Sequence, residues 1–275
     1  MTRRSDKPAL RSSKPLSQEI DRDGNADLWA QLRGLTAARI GLARSGASLA
    51  TGPLLDLRLA HARARDAVHA PLNEHELLAK LASLDVPTCV VSSAVKDRAQ
   101  YLMRPDLGRA LAGPDAASLA SKVQPSHDVV FVITEGLSAQ ALAHAKPLLT
   151  EVLPALARDG WHIAPLIVVR LGRVAVGDAV AMALNADIAV VLIGERPGLS
   201  APDSMGAYLT WRPRAQTTDA ERNCISNIRP EGIGYADAAF KLLHLLRSMR
   251  TQQMSGVALK DTTDRLSIGP EPEEG

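Results

Sequence analysis

Three near-continuous apolar runs between residues 128 and 193 constrain the fold of this chain more than any other feature. They are Asp128-Val-Val-Phe-Val-Ile-Thr, His162-Ile-Ala-Pro-Leu-Ile-Val-Val and Asp187-Ile-Ala-Val-Val-Leu-Ile. Strands that are apolar without alternation are buried on both faces, as in a parallel sheet covered by helices. A glycine-containing loop follows each run, and the first two loops lead into helical patterns. The sequence therefore predicts an α/β fold with a Rossmann-like, doubly wound, mostly parallel sheet.

The segments around these runs predict helices, one more strand and two tails. A fourth run, Ala207-Tyr-Leu-Thr-Trp, is expected to join the sheet, and residues 235–250 form an amphipathic closing helix. We predict a helical amino-terminal region over residues 27–113 and the α/β domain over residues 114–260. Residues 1–26 and 261–275 are predicted to be flexible tails. Within the helical region, one face of a helix that follows Gly52-Pro53 carries Leu54, Leu57, Ala64 and Val68.

Composition excludes several classes of protein. The net charge is only +2, from 32 basic and 30 acidic residues in 275, whereas a dedicated nucleic-acid binder is usually strongly basic. The two cysteines, Cys89 and Cys224, have no Cys/His ligand spacing around them, so no structural zinc site is expected. The longest aliphatic run is too short to cross a bilayer, and no apolar segment follows the basic amino terminus. We therefore predict a soluble intracellular protein without a membrane or nucleic-acid partner.

Three loops that leave the carboxyl ends of the predicted strands indicate a ligand site. They are Glu135-Gly-Leu-Ser, Leu171-Gly-Arg-Val and Gly194-Glu-Arg-Pro-Gly. In open α/β sheets such loops converge on one edge, where ligands bind. Each combines a glycine, which lets backbone approach a ligand, with a polar or charged residue.

Each of these features also has a purely structural reading. The loops could be ordinary turns, with Ser138 as a helix N-cap. Glu195 could be a solvent-facing carboxylate paired with Arg196. Cys224 could be a small buried hydrophobic residue, and nothing near it in sequence supplies the base that a nucleophilic cysteine needs.

Eight short motifs in one order, from about Leu32 to Lys260, resemble the small (light) subunit of ethanolamine ammonia-lyase. Together they cover nearly all of the chain between the predicted tails. The motifs are Thr36-Ala-Ala-Arg-Ile, His61-Ala-Arg-Ala-Arg-Asp-Ala-Val, Tyr101-Leu-Met-Arg-Pro-Asp-Leu-Gly-Arg, Glu135-Gly-Leu-Ser, Gly172-Arg-Val, Gly194-Glu-Arg-Pro-Gly-Leu, Asn223-Cys-Ile-Ser-Asn-Ile and Ser255-Gly-Val.

The resemblance implies one chain of a lyase that uses adenosylcobalamin (coenzyme B12) to convert ethanolamine into acetaldehyde and ammonia. It implies a hetero-oligomer, in which a separate large subunit holds the substrate and the cobalamin lies between the two chains. Carried over by motif, the corrinoid contacts fall on Val174, Glu195 and Cys224, all on or near the predicted loop edge of the α/β domain. No catalytic residue is assigned to this chain. The implied location is the cytoplasm, or a bacterial microcompartment inside it.

The chain departs from the family pattern at the first loop, where Glu135 stands in place of an expected aspartate. The D-x-H-x-x-G motif of cobalamin enzymes that bind cobalt through a histidine is absent. This fits the family, in which the nucleotide base stays on cobalt, and implies that no histidine of this chain is a metal ligand. The tail 1–26 shows no clear amphipathic helix of the kind thought to direct some family members into a microcompartment.

Two other functions remain open at the level of sequence. The chain could be a stand-alone α/β module that binds a small molecule or a nucleotide. It could also be a purely structural subunit whose arginine-rich helix, residues 54–69, docks a larger chain. A binding experiment separates the three readings. Cobalamin binding only in the presence of a large subunit supports the lyase subunit. Nucleotide binding by the isolated chain supports the stand-alone module, and binding of no ligand supports the structural subunit.

Overall fold

A computed structural model describes residues 26–121 and 126–263 of the chain. Two compact units are distinguished by their contacts, one ending at Ala62 and the other beginning at Arg63. The flexible tails predicted for residues 1–26 and 261–275 lie almost wholly outside the described residues. The site described below belongs entirely to the second unit.

In the first unit the chain forms helix α1 (Ala26–Gly34) and the antiparallel pair β1 (Arg44–Ser45) and β2 (Ser48–Leu49). Helix α2 (Thr51–His69) begins in this unit and ends in the second. Its predicted apolar residues are all half-buried, whereas Arg58, Arg65 and Asp66 are exposed, as the spacing of the apolar positions predicts.

The second unit is a six-stranded sheet with helices on both faces. Its further helices are α3 (Glu74–Leu81), α4 (Arg98–Met103), α5 (Gly113–Ala120), α6 (Ala145–Arg158), α7 (Val176–Ala183) and α8 (Tyr235–Gln252). Its strands are β3 (Thr88–Ser92), β4 (His127–Thr134), β5 (Leu166–Arg170), β6 (Ala186–Gly194), β7 (Met205–Trp211) and β8 (Arg222–Ile228).

The strand order is β3-β5-β4-β6-β7-β8. The first four strands are parallel, and β7 and β8 extend the sheet through antiparallel pairs. The predicted α/β class with a mostly parallel sheet is therefore confirmed, and the fourth apolar run does join the sheet, as β7. Since β7 runs against β6, the first residues of β7 lie at the same edge as the carboxyl ends of β4, β5 and β6.

Alternate residues of the parallel strands build two separate cores. Phe131, Ile133 and their neighbours pack with α6 and α8, and Val130 and Val132 pack with α5 and α7 on the opposite face. On the α7 face the sheet is less covered towards β7 and β8, where Tyr208 is half-buried and Cys224 exposed. This face therefore has room beside the first turn of α7. No helix within residues 26–121 and 126–263 has the length and apolarity needed to span a bilayer.

Candidate ligand-binding groove

Two adjoining cavities open beside the carboxyl edge of the sheet, and we call them together the groove. The first measures about 420 Å³ and the second about 350 Å³. Tyr208 of β7 lines both, as do Arg173 and Val174 of the loop after β5. The first also contacts Tyr101, Glu195 and Arg196, and the second contacts Arg109, Asp219, Arg222 and Cys224. The three residues predicted to contact a corrinoid thus line one continuous depression.

Val174 is placed by a tightly held turn after β5. Leu171 has a positive φ of 53°, which turns the chain sharply at the end of the strand. The next residue, Gly172, donates its N–H to the Thr134 hydroxyl at 2.9 Å, and a Cβ at Gly172 would lie only 2.8 Å from that oxygen. The turn therefore requires glycine, and it directs the half-buried Val174 into both cavities.

Glu195 follows the last residue of β6, and its carboxylate links this end of β6 to β8 and to the residue before β7. It accepts hydrogen bonds from the hydroxyls of Ser204 and Ser226, the second at 2.5 Å, and from the Asn227 N–H at 3.1 Å. Glu195 forms no ion pair with Arg196 in the described part of the chain. The alternative reading of Glu195 as a carboxylate paired with Arg196 is therefore wrong. An ionised carboxylate has about four acceptor positions. Described residues use three of them, two on Oε2 and one on Oε1, and leave one position on Oε1.

Cys224 lies within β8, whereas it was expected on or near the loop edge. It stands directly opposite Tyr208 in the β7–β8 register, and both side chains line the second cavity. It reaches the groove because β8 is the last strand of the sheet and its α7 face is open. Cys224 is therefore an exposed strand residue, and its thiol belongs to the part of the groove that the sheet forms.

Tyr101 forms the floor of the first cavity between two guanidinium groups. Helix α4 begins after Asp97, whose side chain accepts the Gln100 N–H at 2.8 Å and so caps the helix. The Arg98 and Arg173 guanidinium carbons then lie 4.8 and 4.0 Å from the centre of the Tyr101 ring. Arg173 is also held by a 2.9 Å bond from Nη2 to the Tyr101 carbonyl. Of the two arginines, Arg173 lines the groove, so the stack places a cation at the surface of the groove.

Two tyrosines and the cysteine of the groove are held in their protonated, uncharged forms. Burial raises the pKa of Tyr101 to about 12, although Arg173 and Arg98 act in the opposite direction. Burial also raises the pKa of Tyr208, and the neighbouring Cys224 adds to the effect. The pKa of the Cys224 thiol is raised by desolvation and by the charge of Glu195, whereas Tyr208 acts in the opposite direction. A thiol is a far weaker nucleophile than a thiolate, so Cys224 is suited to recognition rather than to covalent chemistry.

The Glu135 loop lines the first cavity through Leu137, whereas Glu135 itself lines neither cavity. Glu135 is buried, and burial raises its pKa. Its Oε2 has no hydrogen-bond partner within the described part of the chain, and the same holds for Arg98 Nη2 and Arg173 Nε nearby. Ser138 precedes a short 3₁₀ helix, but its hydroxyl donates to the Pro202 carbonyl at 2.8 Å instead of capping that helix. It thereby anchors the segment between β6 and β7.

Sequence reasoning missed Tyr208, Tyr101 and Arg109 as groove residues. Tyr101 and Arg109 occur in one of the eight motifs, so the resemblance contained a signal for them. The only sequence signal for Tyr208 was an aromatic residue with a hydroxyl group in an otherwise apolar strand. Within residues 26–121 and 126–263, no three His, Cys, Asp or Glu side chains cluster as a metal site would require.

Comparison with known proteins identifies the family. The family model for ethanolamine ammonia-lyase light chain (EutC) matches residues 26–260. The chain is similar to the ethanolamine ammonia-lyase small subunits of Ralstonia nicotianae (50% identical over 86% of this chain and 89% of the relative), Azotobacter vinelandii (49%; 86% and 89%) and Pseudomonas putida KT2440 (48%; 87% and 90%). All eight motifs lie within the matched range. The chain therefore belongs to the ethanolamine ammonia-lyase light-chain family.

Proposed function

We propose that this chain is the small subunit of an adenosylcobalamin-dependent ethanolamine ammonia-lyase, which converts ethanolamine into acetaldehyde and ammonia. The observation that carries the proposal is the groove, in which Val174, Glu195 and Cys224 surround Tyr208 in a chain of this family. When bound, the cofactor supplies the radical chemistry by homolysis of its cobalt–carbon bond. The chain itself binds and orients.

The chemistry of the groove fits the rim of a corrinoid, which carries primary carboxamides around an apolar ring. The free acceptor position of Glu195 suits a carboxamide N–H, and the protonated Tyr208 and Cys224 suit its carbonyl. Val174 supplies apolar contact between them. The side chains that hold Glu195 in place, Ser204 and Ser226, preorganise it for this role.

The groove holds one side of such a ligand, because Arg109, Arg196 and Cys224 remain exposed around it. Cavities of this size surround a small organic molecule but do not enclose a corrinoid. A large-subunit partner would cover the other side, hold the substrate and exclude water during the reaction. This arrangement makes the protein a hetero-oligomer of large and small chains, in the cytoplasm or within a bacterial microcompartment. The proposed contacts Val174, Glu195 and Cys224 lie in residues 114–260, and Tyr101 and Arg109, which precede that range, complete the groove.

A binding titration tests the proposal. We expect the chain, co-purified with its large subunit, to bind cobalamin and to release ammonia from ethanolamine when adenosylcobalamin is added. Glu195→Gln should weaken cobalamin binding about ten- to hundredfold, because it removes a charged acceptor. Glu151→Gln, an exposed change on α6, is the matched control and should leave the affinity unchanged.

Two results would contradict these assignments. Unchanged cobalamin affinity in a folded Glu195→Gln complex, judged by circular dichroism, would remove Glu195 from the site. A complex that binds no cobalamin and releases no ammonia would refute the function.

A further inference from the structure

The groove carries more guanidinium groups than its carboxylates can neutralise. Its two lining carboxylates are already engaged: Glu195 by Ser204, Ser226 and Asn227, and Asp219 by Arg222 at 3.4 Å. Arg222 in turn forms a buried bidentate pair with Asp178. Three further arginines line the groove and form no ion pair with any described residue: Arg109, Arg173 and Arg196. The groove therefore has a surplus of positive charge and of unused N–H donors.

Arg109 and Arg173 line the same 350 Å³ cavity, although they lie 64 positions apart in the sequence. The link between their segments is Gly108, whose carbonyl accepts the Arg173 N–H at 2.7 Å. A Cβ at Gly108 would lie 2.7 Å from Arg173 Cγ, so only glycine permits this approach. The backbone thus brings the two arginines to one cavity from different loops.

The two side chains are suited to complementary parts in binding. The Arg173 guanidinium is fixed by its stack on Tyr101 and by the bond to the Tyr101 carbonyl, and its buried Nε has no partner among the described residues. Arg109 is exposed on a short 3₁₀ turn and free to adjust to a ligand. The preorganised Arg173 lowers the entropic cost of binding, whereas the exposed Arg109 can adjust its position to the ligand.

We propose that Arg109 and Arg173 bind a phosphate group. Guanidinium groups match the geometry of phosphate oxygens and form strong charge-assisted hydrogen bonds with them, and the surplus charge disfavours a cation. The inference rests on the proposed function, because adenosylcobalamin carries one phosphodiester, in its nucleotide loop. Inorganic phosphate has the same recognition chemistry and is the other source that the experiment must separate.

The test compares cyanocobalamin with dicyanocobinamide, which lacks the nucleotide loop and its phosphodiester. The full chain in complex with its large subunit is titrated with each corrinoid by visible absorbance, as wild type, Arg109→Ala and Arg109→Lys. Arg158→Ala serves as the control, because Arg158 is exposed at the carboxyl end of α6, which lies towards the opposite edge of the sheet.

We expect Arg109→Ala to weaken cyanocobalamin binding about tenfold and to leave dicyanocobinamide binding unchanged. Arg109→Lys should retain part of the affinity, since lysine keeps the charge but loses the planar fork. Arg158→Ala should change neither value. An equal loss for both corrinoids, or no loss for cyanocobalamin, would overturn the phosphodiester assignment.

A second arm separates this inference from the proposed function. If the wild-type complex binds neither corrinoid, the proposed function fails, and ³¹P line broadening of inorganic phosphate then decides the site. Broadening by the wild type that disappears in Arg109→Ala supports a site for free phosphate. Absence of broadening, or broadening that persists in Arg109→Ala, overturns the inference altogether.

Discussion

Replacing Arg222 by methionine tests how far the groove wall depends on its buried ion pair. Arg222 begins β8 and Asp178 lies in the first turn of α7, so the pair joins the last strand to the helix beside the groove. Both N–O distances are 2.7 Å, and the side chains are only 3% and 8% exposed. Thr210 accepts a further bond at 2.9 Å from the same guanidinium.

The expected cost follows from burial. Methionine keeps the apolar stem of Arg222 but leaves the Asp178 carboxylate buried without its cation, which costs about 3–5 kcal/mol of unfolding free energy. Arg212 and Asp187 form an ion pair at the same 2.7 Å separation, but their side chains are 62% and 38% exposed. Arg212→Met should therefore cost less than about 1 kcal/mol. Because the two ion pairs have the same N–O distance and differ in burial, the difference between the two stability losses measures the effect of burial.

Urea unfolding followed by circular dichroism measures both values. With a slope of about 2–3 kcal/mol per M, Arg222→Met should lower the midpoint by about 1–2 M without changing the slope. The double change Arg222→Met with Asp178→Leu removes both charges and should recover part of the loss. A midpoint for Arg222→Met that equals that of Arg212→Met would refute the reasoning, as would a double variant less stable than the single one.

Two further predictions concern the support beneath the groove. Gly194→Ala places a Cβ well inside van der Waals distance of the Ser138 and Glu135 carbonyl oxygens, and should lower the free energy of unfolding by about 1–3 kcal/mol. Gly113→Ala, with nothing within 4 Å, is the control, and an equal effect would contradict the argument. Because burial raises the pKa of Glu135, the folded state binds its proton more tightly, and stability should fall as pH rises through the raised pKa. Glu135→Gln should flatten this fall above the ordinary glutamate pKa of about 4.3 in the same urea assay, and a fall of unchanged size would exclude Glu135 as its source.

Much of the fold could be predicted because the relevant signals are local. The runs that became β4 and β6 are continuous in sequence, and their alternate residues do pack into opposite cores. The second run was less informative: only Leu166–Arg170 forms β5, and Pro165 lies just before the strand. The last strand, β8, was not predicted as a strand. Its sequence Arg-Asn-Cys-Ile-Ser-Asn-Ile is polar because one side of it faces the open groove.

By itself the sequence determined the α/β class, the apolar runs that form β4 to β7 and, through its motifs, the family to which the chain belongs. The tertiary structure alone decided that Cys224 stands opposite Tyr208, that the Glu195 carboxylate is held by β8 and the residue before β7, and that Arg109 meets Arg173 across Gly108. The physical reason is the sequence distance over which each interaction acts. Periodicity and turn chemistry act over a few residues and can be read along the chain, whereas strand register and side-chain partners across a sheet depend on packing between segments far apart in sequence.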